Sequence, residues 1–378
     1  MTFIPRILAS QIEKIQNRYQ VIVITGPRQT GKTTLALHLF PDFPYFNLED
    51  PTIRELVEAD PRAFINNGPD NIIIDEIQRF PTLFSYIQVC VDAKPQKKFI
   101  ITGSSDFLLM EKITQSLAGR AALFTLLPFS FKEVESYIHS TGINEIILNG
   151  FYPGVLAKGI EPRVFYANYY ATYVERDARQ INSIDNLDSF RLFIKILAGR
   201  VGSEFNANAL SAEIGVSAPT IRKWLGILKT SYIAFSLPPY FANIEKRLTK
   251  TPKVYFYDTG LLCYLLGITS PEILLTHPLR GQIFENLAIA QMVKEKYNSQ
   301  AGYELCFYRE NGAREVDLLK IVANDIFLYE IKSSSTFHKD FRKNLIYLEN
   351  LLGDKIKGAT VVYDGPSLPP VAINVKDI

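Results

Sequence analysis

Residues 21–34 read VIVITGPRQTGKTT, and the order of residue types in that stretch decides the fold. The run VIVIT is rich in β-branched side chains and predicts a buried strand. The turn after it carries Gly26, Gly31, Lys32 and Thr33 at the spacing G-x-x-x-x-G-K-[ST]. Glycine at the two fixed positions lets the backbone bend until successive N–H groups point inward at a phosphate. The positive end of the helix that follows adds to that attraction. Lys32 is predicted to reach the β- and γ-phosphates, and the Thr33 hydroxyl to sit on Mg²⁺. Gly26, Pro27, Arg28, Gln29, Thr30, Gly31, Lys32, Thr33 and Thr34 form the candidate phosphate-binding set.

A second stretch, Asn71-Ile72-Ile73-Ile74-Asp75-Glu76, is a buried-type strand ending in two carboxylates. In P-loop NTPases an Asp at this strand end holds Mg²⁺, so Asp75 takes that role. Glu76 is placed to orient and deprotonate the attacking water. Together the two stretches predict ATP and Mg²⁺ as ligands and ATP hydrolysis as the reaction. A third strand, KFIIT (98–102), leads into Gly103-Ser104-Ser105, where Ser104 or Ser105 is the candidate to touch the γ-phosphate or the water. Arg120, in SLAGR, either senses phosphate charge, in its own subunit or across a subunit boundary, or pairs with a local carboxylate.

The chain is 378 residues long, which calls for more than one domain. Its net charge of +2 excludes a global polyanion-binding signature, so any nucleic-acid surface has to be local. Cys90, Cys263 and Cys306 lack paired spacing and the four histidines do not cluster, which favours a reducing compartment over a disulfide or zinc framework. The N-terminal apolar stretch is too short for a signal peptide, and no run is long enough to cross a bilayer. The expectation is a cytoplasmic protein without a membrane partner.

Four regions are predicted. Residues 1–140 alternate strands and helices, as a parallel α/β P-loop NTPase sheet does. Residues 141–205 read as a helical linker, with a helix over 162–200 whose aromatic residues belong to the core. Residues 206–270 have the order of a winged helix-turn-helix. In it Asn206 or Asn208 caps one helix, Gly215 makes the turn, and Ser217 caps a second helix with Ile221, Leu225 and Leu228 inward. Arg222 and Lys223 on that helix, with Lys246, Arg247 and Lys250 in the loop between the next two strands, are the candidate DNA contacts. The alternative is that this module packs against the ATPase or other subunits.

Residues 271–378 read as helix, three strands, helix, strand. Glu330 and Lys332 are two apart on the third strand and share a face, with Asp317 on the neighbouring strand. Two carboxylates and a lysine converging in this way suit a divalent metal, held by Asp317 and Glu330, and an attacking water positioned by Lys332. The D-x(n)-E-x-K order resembles the restriction-endonuclease-like nucleases, and Glu285 falls where many of them carry a helical Glu. The alternative is a nuclease-like fold kept for binding, its charges paired with one another.

GPRQTGKTT, IIIDEIQRFP, ITGSS, SLAGR, LLPFSF, VERD, VYFYDTGLL and the run G-x-x-F-E-N, R-E-V-D, E-I-K occur in that order. In this the chain resembles the prokaryotic AAA-type ATPases in which a P-loop domain is fused to a winged helix and a restriction-endonuclease-like domain. The resemblance implies ATP binding and hydrolysis. The leading expectation is an Mg²⁺-dependent ATPase that acts with DNA, in one copy or as a homo-oligomer, and whose C-terminal domain binds or cuts it. The alternative expectation is a nucleotide-dependent switch or scaffold that regulates protein partners.

Overall fold

The computed structural model describes residues 3–104, 116–174, 186–240, 251–310 and 314–378. Its first part is built on β1 (Val21–Thr25), β2 (Tyr45–Asn47), β3 (Asn71–Asp75), β4 (Lys98–Thr102) and β5 (Ala121–Thr125). All five pair in parallel, in the order β2-β3-β4-β1-β5. A parallel sheet covered on both faces needs strands that are apolar throughout, which is why β1 and β3 are runs of Val and Ile rather than alternations. Successive side chains go to opposite faces. Val21, Val23, Ile72, Ile74, Phe99 and Ile101 lie in one buried cluster, and Ile22, Ile24, Ile73 and Ile100 in another. Each such side chain contributes roughly 1.5–3 kcal/mol by leaving water. β4 separates β1 from β3, so a crevice opens between their carboxyl ends, the usual place for a ligand in an open α/β sheet.

The helices that follow are Phe131–Ile138, Ile143–Asn149, Pro153–Leu156, Pro162–Tyr169 and Leu187–Gly199. The single helix expected over 162–200 is interrupted. Tyr170–Val174 is π-helical, residues 175–185 lie outside the described residues, and Asn186 starts a new helix by accepting from the N–H of Ser189 at 3.0 Å. Phe165, Tyr166, Tyr169 and Tyr170 are buried, as expected.

Helices Ala207–Ile214 and Ala218–Thr230 precede an antiparallel ribbon of β6 (Ala234–Leu237) and β7 (Lys253–Phe256). Asn206 and Ser217 cap the two helices, and Gly215 ends the first in the left-handed region at φ 80°. Ile221, Leu225 and Leu228 are buried as the spacing predicts, with Trp224 beside them. Lys246, Arg247 and Lys250 lie outside the described residues.

The C-terminal part runs helix Arg280–Ser299, β8 (Glu304–Glu310), β9 (Arg314–Val322), β10 (Asp325–Lys332), helix Lys343–Leu352, β11 (Ile356–Tyr363) and β12 (Ala372–Asn374). The sheet order is β12-β11-β10-β9-β8, antiparallel from β8 to β10 and parallel from β10 to β12. β12 went unpredicted because three residues carry no readable alternation. The positions 140, 205 and 270 each fall between two helices, with no break in the interior. One buried cluster reaches from Ile4 and Leu127 through Phe193, Trp224 and Phe284 to Val375. Helix Arg280–Ser299 makes this possible, since it is buried around most of its circumference.

Candidate functional site

The loop between β1 and helix Lys32–Leu39 has Gly26 at φ 139° and Gly31 at φ 91°. A Cβ on Gly26 would stand 2.2 Å from the carbonyl oxygen of Leu126, so only glycine lets the loop pass the end of β5. The Lys32 ammonium is turned into the loop, where it donates to the carbonyls of Gly26 at 3.2 Å and Pro27 at 2.7 Å. Burial pulls this amine down to about 8, against the opposing pull of Glu76 and Asp75.

Thr33 Oγ1 donates to Asp75 Oδ2 at 2.8 Å, which joins the first turn of the helix to the end of β3. The same carboxylate accepts from Tyr45 Oη at 2.7 Å, from the Glu76 N–H at 3.1 Å and from Thr102 Oγ1. A hydroxyl and a carboxylate in contact at the head of a phosphate loop are hard oxygen donors of the kind Mg²⁺ takes, so the residues fit that ion. Glu76 is held at φ 57°, outside the usual region for a side chain of its type. Gln78 Nε2 bridges its carboxylate to Ser104 Oγ, which is 2.8 Å away. The structure therefore brings Lys32, Thr33, Asp75, Glu76 and Ser104 to one crevice, while Ser105 lies outside the described residues.

Tyr45, Thr102 and Gln78 were not foreseen. Thr102 had a signal, since it ends the strand paired to β3; Tyr45 sits on a strand too short to have been read.

A cavity of about 500 Å³ opens beside these groups. Residues 28–34 line it together with the apolar side chains of Phe3, Ile4, Phe129, Pro153, Ala157 and Ile160. Arg6 lies in the cavity wall and is buried. It pairs with Glu133 at 3.0 Å and donates to the carbonyls of Thr30 at 2.9 Å and Leu127 at 2.5 Å. No local pattern announces it, because a single Arg near a chain end reads as a surface residue.

Arg120 is not part of this crevice. It stands just before Ala121, which pairs with Val21 at the start of β1, whereas the phosphate loop follows the other end of that strand. Five strand residues at ~3.3 Å each separate the two ends. Its guanidinium is held by Asp92, at 2.6 and 2.9 Å. Within this chain Arg120 therefore cannot reach a bound phosphate, and the local pairing is the one realised.

Arg222 and Lys223 are exposed on helix Ala218–Thr230. Arg222 and Lys229 line a groove of about 570 Å³ with Asn206, Asn208 and Thr251.

In the C-terminal sheet Lys332 Nζ lies 2.6 Å from Glu330 Oε1 and 3.7 Å from Asp317 Oδ2. Asp317 Oδ2 also accepts from the Ile331 N–H at 2.7 Å. Glu285 faces the cluster from helix Arg280–Ser299 but is held by Lys253 and Tyr255 of β7. Burial raises the carboxyls of Glu285, Asp317 and Glu330 above their ordinary range. Burial lowers the Lys253 amine, but Glu285 and Glu315 outweigh it and raise the amine overall. The predicted residues do meet. Among the described residues no group of three or more His, Cys, Asp or Glu is arranged to hold a metal ion.

Three family models match consecutive parts of the chain: an AAA domain over residues 18–135, a domain of unknown function (DUF8612) over 140–272, and a domain of unknown function (DUF4143) over 280–376. The chain is 30% identical over 373 residues to the uncharacterized protein Rv2008c of Mycobacterium tuberculosis and to its counterpart in Mycobacterium bovis, covering 97% of this chain and 81% of each of those. It is 23% identical over 402 residues to an uncharacterized protein of Methanocaldococcus jannaschii, covering 97% of this chain and 87% of that one. Among solved structures, the Walker-type ATPase of Pyrococcus abyssi is similar with a TM-score of 0.48 and 16% identity, covering 68% of this chain and 94% of that one. Among the described residues no helix is long and apolar enough to cross a membrane. By its identity to the mycobacterial proteins over nearly its whole length, the chain belongs to their family, and its N-terminal part is an AAA-type P-loop ATPase domain.

Proposed function

We propose that this protein binds and hydrolyses ATP in the crevice at the carboxyl ends of β1, β3 and β4, and that it acts with DNA. The observation that carries the first part is the 2.8 Å contact of Thr33 with Asp75, which supports a reading in which the two hold one ion. Mg²⁺ held by Thr33 and Asp75 supplies charge neutralisation at the phosphates. Lys32 exchanges the carbonyls of Gly26 and Pro27 for β- and γ-phosphate oxygens. Ser104 touches the γ-phosphate or the water, and Glu76 takes the proton of the attacking water. The apolar side chains in the cavity lining suit the base. Because Pro153, Ala157 and Ile160 follow the AAA domain, nucleotide binding there would join that domain to the next.

The DNA reading rests on the two helices Ala207–Ile214 and Ala218–Thr230 with the ribbon after them, the order of a winged helix-turn-helix. Arg222 and Lys223 are solvent-exposed on its second helix, where groove contact is made in such modules. The C-terminal module has the element order of the restriction-endonuclease-like fold, and we carry no cleavage step into the reading. A second reading, a switch acting on protein partners, draws on the continuous core that ties the modules together. ATPase assays with and without duplex, single-stranded and branched DNA decide between them. DNA stimulation abolished by Lys32→Ala supports the first reading, and turnover indifferent to every DNA supports the second.

A further inference from the structure

The charged cluster of the C-terminal sheet extends beyond that sheet. β7 starts with Lys253, which is 3% exposed, and Tyr255 follows on the same face by strand alternation. Lys253 Nζ contacts Glu315 Oε1 and lies 3.4 Å from Glu285 Oε1, while Tyr255 Oη donates to Glu285. Glu315 and Asp317 share a face of β9 by the same alternation, and Lys332 joins Asp317 to Glu330. Two lysines, one from the ribbon and one from the sheet, therefore divide four carboxylates between them. Arg309 adds a third cation at the rim, 3.6 Å from Glu315 Oε2.

We infer that Lys253 is a built-in cation of the C-terminal module: its ammonium fills the gap between Glu285 and Glu315, keeps divalent metal off those two carboxylates, and locks the ribbon of β6 and β7 to the C-terminal sheet. A hard divalent ion must approach carboxylate oxygens to about 2.0–2.6 Å. At Glu285 Oε1 or Glu315 Oε1 it would meet the Lys253 ammonium at the same atoms, with like charges in contact. Buried carboxylates need a partner cation, and the fold supplies one from an element outside the sheet. The inference is independent of the ATPase reading, since none of these residues touches the phosphate loop. Its functional content is that Glu285 and Glu315 work with Lys253 as an interlock between modules.

Mn²⁺ binding to the full chain without nucleotide, followed by the spin resonance of free Mn²⁺, tests this. Comparison of the parent with Glu285→Gln and Glu315→Gln is expected to show no Mn²⁺ binding that depends on either carboxylate. Lys253→Met removes a like charge a few ångström from the acidic oxygens and is expected to tighten Mn²⁺ binding by about 10-fold or more. The added Glu285→Gln change should cancel that gain. Mn²⁺ binding by the parent that Glu285→Gln or Glu315→Gln abolishes would overturn the inference. So would a folded Lys253→Met protein with no gain. If Lys253→Met does not fold, the parent comparison decides alone.

Discussion

Arg6 and Glu133, 127 positions apart in the chain, form an ion pair with Nε 3.0 Å from Oε1, and both side chains are almost wholly shielded from water. Glu133 also accepts from the N–H of Ile7 at 2.9 Å and closes the cap of helix Phe131–Ile138 through the Ser130 N–H, likewise at 2.9 Å. One guanidinium thus ties the N-terminal segment, the phosphate loop at Thr30 and the exit from β5 at Leu127. Breaking a buried pair from one side leaves an uncompensated charge, at a cost of about 3–5 kcal/mol. Arg6→Ala should lower the unfolding free energy by that order in a urea titration. Arg6→Lys should recover only part, because an ammonium cannot reproduce the planar fork that reaches three acceptors. A loss below about 1 kcal/mol would put this pair in the class of surface ion pairs.

Catalysis is expected to separate from binding at Glu76. Glu76→Gln keeps the shape and loses the base, so ATP should bind with near-parent affinity while turnover falls by about 10²–10⁴-fold. Lys32→Ala should lose both, because it removes the cation that neutralises the phosphates. Nucleotide affinity by calorimetry beside steady-state phosphate release reads the two effects apart. Parent-rate hydrolysis by Glu76→Gln would remove Glu76 from the role of base.

ATP affinity should depend on pH through Lys32. Its amine is depressed to about 8 in the nucleotide-free protein by burial, so it is charged below that pH and neutral above it. Phosphate oxygens favour the charged form, so binding above pH 8 must be accompanied by proton uptake. Affinity should therefore hold steady below that point and fall as pH rises through it, by up to about 10-fold per pH unit. Binding enthalpies in buffers of different ionisation enthalpy, between about pH 7 and 9.5, measure the proton directly. A flat affinity profile with no proton uptake would contradict the assignment.

Arg222 and Lys223, exposed on helix Ala218–Thr230, are expected to bind DNA through phosphate. Reversing charge at Arg222 and Lys223, or at Lys246 and Arg247, should weaken binding to all sequences alike. Each lost contact should lower the slope of log affinity against log salt by roughly 1. Titration of fluorescent duplexes at several salt concentrations checks this. An unchanged affinity and slope would favour the protein-partner reading.

Much of the nucleotide site was legible because its groups are near one another in the chain or at strand ends. The glycines of the loop are required by local backbone geometry, and Lys32 and Thr33 follow at once. Asp75 and Glu76 sit where an apolar strand stops. Pattern also sufficed for the helix pair at 207–230, where caps and spacing are local properties. Arg120 was legible as a residue but not as a role, since its position at the start of β5 becomes apparent only from the pairing with β1.

The sequence by itself determined the parallel sheet, the phosphate loop and the meeting of Asp317, Glu330 and Lys332, because periodicity two and fixed motif spacing act over a few residues. Only the tertiary structure decided which cations Glu133, Glu285 and Glu315 received. Arg6 reaches Glu133, and Lys253 reaches Glu285 and Glu315, across sequence distances over which no periodicity carries information. The physical reason is desolvation. A carboxylate withdrawn from water must be matched by whatever cation the packing brings to it, and packing, not local pattern, chooses the partner.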